Sequence, residues 1–241
     1  AKVYNTPKPF SVSNPDHKKN ILNIKKQTTK NNGYLSPYHA QQLLDSANIP
    51  RVKEFVVKTE QDAIRVANEL KFPVAMKVVG PIHKSDILGV ALNIKNDEQV
   101  ATEFRRMIKI KDTDAILLQP MLSGTELFIG AKYEPKFGHI ILCGLGGIFI
   151  EVLKDISSAI APVTKQEALN MIHTLKGYKI LQGIRGQSGV NENVFADIIV
   201  KVSDLVMAVP EIYEMDINPL IGKENEIIAA DSRIRIHEDY V

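Results

Sequence analysis

The sequence predicts an α+β chain, and three observations carry that reading. Some segments repeat apolar residues at helical spacing, while others run apolar or alternate over four to eight residues. Helix and strand signals mix without the strict βαβ repeat of a doubly wound sheet. The chain also closes on two strand-like stretches joined by a polar turn. With 241 residues, 44% of them apolar, there is material for one large or two small cores.

Residues 1–32 differ from the rest. Pro7, Pro9 and Pro15 punctuate them, so 1–15 reads as an extended arm or linker. Residues 16–30 have room for one helix, with Ile21, Leu22 and Ile24 as its weak apolar side. From Tyr34 the text becomes globular. Ser36 caps a helix that Pro37 opens, and Ala40, Leu43, Leu44 and Ala47 line its inner side. A strand follows over 54–58. Thr59 then caps a helix over 60–70, with Ala63, Val66, Ala67 and Leu70 inward. After the break at Phe72-Pro73 come strands over 74–79 and 90–94, a helix over 97–109, and strands over 115–120 and 126–133. Residues 140–142 lead into Gly144-Leu145-Gly146-Gly147. Helices are expected over 165–175 and 194–209, and 211–221 with 227–236 form a terminal hairpin. No internal repeat stands out.

Composition excludes several classes of function. Charged residues make up 24% and the net charge is +2, which supports neither nucleic-acid nor membrane-surface binding. The longest apolar stretch, 140–152, is broken by Gly144, Gly146 and Gly147, so no transmembrane segment is expected. No charged-then-apolar leader opens the chain, so no signal peptide is expected. The first residue is Ala1, which fits a processed chain or a piece of a longer one. Cys143, the single cysteine, cannot form an internal disulfide, and a reducing, cytoplasmic setting fits.

The sharpest chemical signal is the terminal hairpin. If its turn centres on Glu224-Asn225, Asn218 faces Asp231, with Cβ atoms about 4.5–5.5 Å apart. Asp216 shares their side, because strand side chains alternate. Two carboxylates and an amide oxygen then converge, a set that suits Mg²⁺ also held by phosphates; a plain solvated hairpin face is the competing reading. Lys77 interrupts the apolar strand 74–79, where a buried lysine needs a partner such as a phosphate. An edge strand with its lysine in water, or a pair with a carboxylate, would explain it too. His83-Lys84-Ser85-Asp86 follows a Gly80-Pro81 turn, and an imidazole nitrogen there can accept a phosphoryl group and pass it on. It also reads as an exposed loop histidine. None of the other five histidines has metal-ligand spacing. The glycines at 144, 146 and 147 allow close approach to phosphates but match neither common phosphate-loop fingerprint, so a structural turn remains open. Arg185-Gly186 is an anion contact or merely a loop, and Cys143 is read as an inert core thiol. No nucleophile elbow is present.

In order, Lys77-Val78-Val79-Gly80-Pro81-Ile82-His83-Lys84-Ser85-Asp86, the stretch from Gly144 to Asp155 with its Gly-Leu-Gly-Gly start, and Asp216-Ile217-Asn218-Pro219-Leu220 resemble the signature of ADP-forming acyl-CoA synthetases. The resemblance spans about 33–237 and points to the β subunit of two-subunit enzymes or the C-terminal region of fused ones; succinyl-CoA synthetase β is more distant. It implies an ATP-grasp fold of two α+β subdomains, roughly 33–120 and 121–241, enclosing a nucleotide site. It implies ATP or ADP with Mg²⁺, and the overall reaction acyl-CoA + ADP + phosphate ⇌ carboxylic acid + CoA + ATP. In the family, a phosphoryl group travels from a histidine on a CoA-binding partner subunit, or on N-terminal domains of the same polypeptide. In the acetyl-CoA synthetase branch it reaches a second histidine before ADP, and that role maps onto His83. Asp216 maps onto the acid that steadies the incoming phosphohistidine, and Asn218 and Asp231 onto the magnesium ligands. Lys77, Gln119, Met121, Glu126, Gly146 and Gly147 map onto nucleotide contacts, with Gln119-Pro120-Met121 as the hinge beside the adenine. Leu88 and Ala159 depart from the family's expected glycine and arginine. No CoA-binding segment and no Gly-His-Ala stretch like the primary phosphohistidine is found, so the chain is not expected to complete the reaction alone. Two other readings share the fold: a regulatory module of a protein lysine acetyltransferase, and a succinyl-CoA synthetase-like ligase, against which the relay histidine speaks.

Overall fold

Every described helix of more than one turn begins after a capping side chain; the sequence reading named two of these caps, Ser36 and Thr59, and the last helix starts at Glu192 rather than at the expected 194. In this computed structural model, which describes residues 33–81, 87–147, 150, 152, 154–183 and 188–236, Ser36 accepts the His39 N–H ahead of α1 (Pro37–Ser46). Thr59 caps α2 (Glu60–Leu70) and Asn96 caps α3 (Asp97–Met107). Thr164 and Glu167 form a reciprocal capping box at α4 (Lys165–His173), and Asn191 caps α6 (Glu192–Ala208). A short side chain that satisfies the orphan amides of a first turn is what makes these starts readable. The expected arm over 1–15 and the helix over 16–30 lie outside the described residues.

The chain divides into two units: Val52–Leu122, and the described parts of Ala1–Arg51 with Ser123–Val241. The smaller unit holds β1 (Phe55–Val57), β2 (Val74–Val79), β3 (Val90–Ile94) and β4 (Ala115–Pro120) in the order β1-β4-β2-β3, all antiparallel. One sheet face, with Val74, Met76, Val78, Ile116 and Leu118, packs against Ala63, Val66 and Ala67 of α2 and Val100, Phe104 and Met107 of α3. Ala75, Lys77, Leu117 and Gln119 occupy the opposite face, as the pairing of Ala75 with Gln119 and Lys77 with Leu117 requires.

The larger unit holds β5 (Thr125–Glu134), β6 (Gly138–Leu145), β7 (Ile156–Ile160), β8 (Ile212–Lys223), β9 (Glu226–Ala229) and β10 (Ser232–Ile236). The sheet runs β10-β8-β5-β6-β7, with β9 also on β8, and every pair is antiparallel. Ile129, Ala131, Ile141, Cys143, Met215 and Ile217 share a core with α4 and α6, where Phe195, Ile199, Val202 and Val206 are fully buried. Helix α1, which the sequence reading grouped with 33–120, lies in this larger unit. The Leu35 N–H donates to Ile234 O, and the Ala229 N–H to Pro50 O, both at 2.9 Å.

Two elements escaped the sequence reading. β7 reads Ile-Ser-Ser-Ala-Ile, an edge strand whose inward positions, Ser157 and Ala159, are small and partly polar. Its Ala159 pairs with Ile141 and packs against the core, so it serves packing here. α5 (Tyr178–Leu181) is a single turn. β6 also continues through Gly144 to Leu145, so the glycine motif starts in a strand rather than after one.

A buried carboxylate ties the β6–β7 connection to α5. Asp155 accepts the Lys176 N–H at 2.9 Å and the Gly177 N–H at 2.7 Å. It is 5% exposed, and its charge helps to push the buried Cys143 thiol up to about 12, burial being the larger cause. Asp155→Ala leaves two amides without acceptors and is expected to cost about 2–4 kcal/mol of unfolding free energy, read by urea titration. A change within experimental error would show that water replaces the carboxylate at no cost.

Candidate functional site

The terminal hairpin keeps one register over almost its whole length. Lys223 pairs with Glu226 across the two-residue turn Glu224-Asn225, Leu220 pairs with Ala229, and the same register continues from Ser232 opposite Ile217 to Arg235 opposite Glu214. Glu224 takes a positive φ of 53°, and the segment before α6 holds it: its N–H donates to Gly189 O and its carbonyl accepts the Asn191 N–H, at 2.8 and 2.7 Å. Between β9 and β10 the Asn218 N–H donates to Asp231 O at 3.2 Å, and the Ala230 N–H to Pro219 O at 2.9 Å. Asn218 and Asp231 therefore face each other. Met215, Ile217 and Leu220 are buried in the core, and Asp216 and Asn218 lie on the opposite side.

Two glycines bring the end of β6 against this pair. The Gly146 N–H donates to Glu126 O at 2.8 Å. A Cβ on Gly146 would stand 3.0 Å from Leu127 O and 3.3 Å from the Asn218 side-chain oxygen. Gly147 has φ +57°, and a Cβ there would meet the Glu126 carboxylate at 2.1 Å. The left-handed backbone favours glycine there, and any side chain would displace the Glu126 carboxylate. Glu126, Gly146, Gly147, Asn218 and Asp231 thus form one cluster, with Asp216 two residues along β8.

Asp216 is the electrostatic anomaly of the cluster. Its Oδ1 is buried and accepts no hydrogen bond among the described residues. Burial pushes its carboxyl up to about 6; the charge of Arg233, directly across in β10, works against this, and the charges of Asp231 and Glu214 reinforce it. The residue as a whole is only partly covered, yet the one oxygen is sequestered, so burial acts on the acceptor itself. Arg233 and Glu214 were not anticipated; the register that a 224–225 turn imposes would have placed Arg233 opposite Asp216.

In the smaller unit, Lys77 is 6% exposed on β2, which lies between β4 and β3. The edge-strand explanation for this lysine is therefore excluded. Gln119 is 4% exposed on the same sheet face, and its Oε1 accepts no hydrogen bond among the described residues. Met121, just past β4, donates its N–H to Pro73 O at 3.0 Å and is partly exposed. His83 falls in 82–86 and Arg185-Gly186 in 184–187, both outside the described residues. Of the remaining histidines, His139 is buried and donates Nε2–H to Ile212 O at 2.7 Å, and burial lowers its pKa. His39 meets Ser36, and His173 meets Glu192. These contacts are structural.

The chemistry of the donors fits a magnesium nucleotide. Asn218 and Asp231 offer few, hard oxygen ligands, and among the described residues no cluster of three His, Cys, Asp or Glu forms an all-protein cage. In each unit one acceptor is sequestered without a partner among the described residues, Asp216 Oδ1 in the larger and Gln119 Oε1 in the smaller. Such an arrangement belongs to a nucleotide-dependent phosphoryl-transfer domain.

Comparison with known proteins agrees. The family model of the ATP-grasp domain matches residues 26–236. The β subunit of acetate–CoA ligase [ADP-forming] I from Pyrococcus furiosus is 43% identical over 222 residues, covering 88% of this chain and 95% of that protein. Acetate–CoA ligase [ADP-forming] II of Archaeoglobus fulgidus is 37% identical over 207 residues, covering 85% of this chain and 30% of that longer protein. Among solved structures, Ca. Korarchaeum cryptofilum dinucleotide forming acetyl-coenzyme A synthetase 1, in complex with coenzyme A, Ca-AMPCP and HgCl+, superposes with a TM-score of 0.83 at 32% identity, covering 91% of this chain and 99% of that one. The same synthetase with coenzyme A and Mg-AMPPCP has its phosphohistidine segment pointing towards the nucleotide binding site, and superposes with a TM-score of 0.76 at 32% identity over the same shares. The chain belongs to the ATP-grasp domain family and, within it, to the family of ADP-forming acetate–CoA ligase β subunits.

The raised pKa of Asp216 has a measurable sign. With a folded value of about 6 against an ordinary 3.8, ionisation costs the folded state nothing below pH 3.8, and the cost grows until it is complete above 6. Asp216→Asn removes that cost. Without nucleotide or metal, it is expected to unfold at higher urea than the parent near about pH 7.5, by on the order of 1–3 kcal/mol, and to match the parent near about pH 4. A difference that does not change between the two pH values would show that Asp216 titrates as an ordinary surface carboxylate.

Proposed function

We propose that this chain is the nucleotide-binding, phosphoryl-transferring part of an ADP-forming acyl-CoA synthetase, catalysing with a partner acyl-CoA + ADP + phosphate ⇌ carboxylic acid + CoA + ATP. The observation that carries the reading is the cluster of Asn218, Asp231, Glu126 and the sequestered Asp216 against Gly146 and Gly147. The partner is a CoA-binding, phosphohistidine-bearing subunit, or equivalent N-terminal domains of one polypeptide, a reading supported by relatives that are β subunits or longer single-chain ligases. The enzyme works in the cytoplasm, where nucleotides and CoA are supplied and the lone thiol stays reduced.

Each residue has a task that its surroundings support. Asn218 and Asp231 hold Mg²⁺, which when bound neutralises phosphate charge. Lys77 places a second positive charge against the phosphates from a dry strand, where its Coulombic effect is strongest. Gln119 offers its unpartnered amide oxygen to the base, and Met121 lies against it. The backbone of Gly146 and Gly147 approaches the phosphates where no Cβ intervenes. Glu126, beside Gly147, completes the nucleotide contacts.

Asp216 receives the partner's phosphohistidine. As a carboxylate it accepts the N–H of one ring nitrogen and leaves the phosphorylated nitrogen free to face its acceptor. The phosphoryl group then passes to His83: a P–N bond to His83 forms as the P–N bond to the partner's imidazole breaks. In the final step a terminal phosphate oxygen of ADP bonds to phosphorus as the His83 bond breaks, and ATP is formed. Little covalent help is needed beyond alignment and charge neutralisation. Identity over nearly the whole of a ligase β subunit disfavours the acetyltransferase-module and succinyl-CoA readings.

Run in reverse, the relay can be tested on the isolated chain. Incubated with γ-labelled ATP and Mg²⁺, the protein is expected to gain acid-labile, base-stable label, and His83→Ala to gain none. Label that persists in His83→Ala, or a parent that binds ATP yet takes up no label, would overturn autonomous relay through His83.

A further inference from the structure

We propose that Arg233 binds the phosphoryl oxygens of the phosphohistidine whose ring Asp216 holds. The inference rests on the phosphohistidine reading of Asp216 and gives a task to the guanidinium beside it. Strand β10 places Arg233 directly opposite Asp216 in β8, and facing residues share one sheet face with Cβ atoms about 4.5–5.5 Å apart. Ile234, next to it, is buried in the core, so Arg233 projects from the face away from the helices, as Asp216 does. An arginine and an aspartate at that spacing readily form an ion pair, yet these two do not. Asp216 Oδ1 accepts no hydrogen bond, and Arg233 makes neither a hydrogen bond nor an ion pair among the described residues.

The other described arginines are all engaged. Arg51 pairs with Asp45, Arg65 with Asp62, Arg105 with Glu60 and Arg106 with Glu103, and Arg235 lies against the rings of Tyr34 and Tyr213. Arg233, half-buried on β10, keeps its whole fork of N–H donors for a group from outside the chain. Such a fork binds phosphoryl oxygens two at a time. Asp231 and Glu214 stand on the same face as Asp216. A phosphoryl group brought there meets three carboxylates, and Arg233 supplies the positive charge that offsets them.

A phosphohistidine has two ends to recognise. One ring nitrogen carries an N–H, and the other carries the phosphoryl group. A carboxylate and a guanidinium that stand side by side without bonding to each other match these two ends. The other flank of Asp216 suits the ring between them. Gly130 pairs with Asp216 from β5, and a Cβ on it would stand 2.8 Å from Phe128 Cζ. The Phe128 ring therefore lies over Gly130, on the face away from the core, where it is nonetheless 8% exposed. An imidazole can rest against it. Inorganic phosphate would use Arg233 alone, and a bare imidazole would use Asp216 and Phe128; a phosphohistidine uses all three.

The probes are a synthetic Gly-phosphohistidine-Ala peptide and its unphosphorylated form, titrated by calorimetry with EDTA present so that no metal carries the phosphoryl group. The parent is expected to prefer the phosphorylated peptide. Arg233→Gln is expected to lose about ten- to a hundredfold of that preference, the worth of a charge-assisted pair. Arg233→Lys, which keeps the charge but not the fork, is expected to fall between the two. Taking the ratio of the two peptides cancels any effect of the substitution on Asp216. Arg233 holds no group of the chain, so the urea midpoint of Arg233→Gln is expected to match the parent's. A merely structural arginine would instead lower the midpoint and leave the ratio unchanged. Affinity for Mg-ATP, measured without EDTA, separates the two sources of phosphate. A fall in ATP affinity with the peptide preference intact would assign Arg233 to the nucleotide and overturn the proposal, as would an equal preference in Arg233→Gln and parent. A parent that binds Mg-ATP but does not discriminate between the peptides refutes it too, with the nucleotide reading intact. A parent that discriminates but does not bind Mg-ATP sinks the nucleotide reading, and Arg233→Gln still decides the role of Arg233.

Discussion

The larger unit depends on one constraint, the register of β8 against the strands that follow it. Strand side chains alternate, so a slip of one residue would turn Met215 and Ile217 outward and bury Asp216 and Asn218 in the core. The packing of Met215 and Ile217 against the helices forbids the slip. The facing of Asn218 and Asp231 is thus a by-product of hydrophobic packing, and no direct bond between their side chains is needed to specify it. The turn is held with equal care. Glu224 and Asn225 are not the glycine-containing pair usual for so short a connection. The segment before α6 makes up for this, with Ser188 and Asn191 donating to the Glu224 and Asn225 side chains at 2.9 and 2.8 Å.

Much of this was legible in the sequence. β2, β3 and β4 lie where their apolar runs stand, because those runs are bounded by Pro73, Asn96 and Pro120, residues with plain local meaning. The starts of α1 to α4 were legible for the same reason, since a cap is a local event, whereas α6 begins two residues ahead of the expected 194. The hairpin register followed from arithmetic on the turn. What escaped depends on tertiary context. β7 pairs only on one side and needs small inward residues, so its composition resembles a loop. The break between β9 and β10 has no signature of its own. The attachment of α1 to the larger unit is a matter of what packs on β10, about which periodicity is silent.

Both sheets repeat one economy. Each gives one face to helices and a dry core, and the residues of chemical interest stand on the other face: Lys77 and Gln119 in the smaller unit, Asp216 in the larger. Sequestered oxygens on Gln119 and Asp216 are costly for a protein that meets no ligand, because unpaired buried acceptors forfeit solvation. Their place opposite cores that are almost wholly apolar separates the residues that keep the fold from the residues proposed to bind.

Cys143 lends the chain a practical property. It is fully buried between β5 and β7, and burial pushes its thiol up to about 12, which disfavours the thiolate near neutral pH. Thiolate is the reactive form, so maleimides and spin labels will pass this residue by. A cysteine introduced at an exposed position, such as Leu88 or Phe137, would then be the sole reactive sulfur in the chain. Fluorescent or paramagnetic probes can be attached singly without first removing the native cysteine or disturbing the core around it.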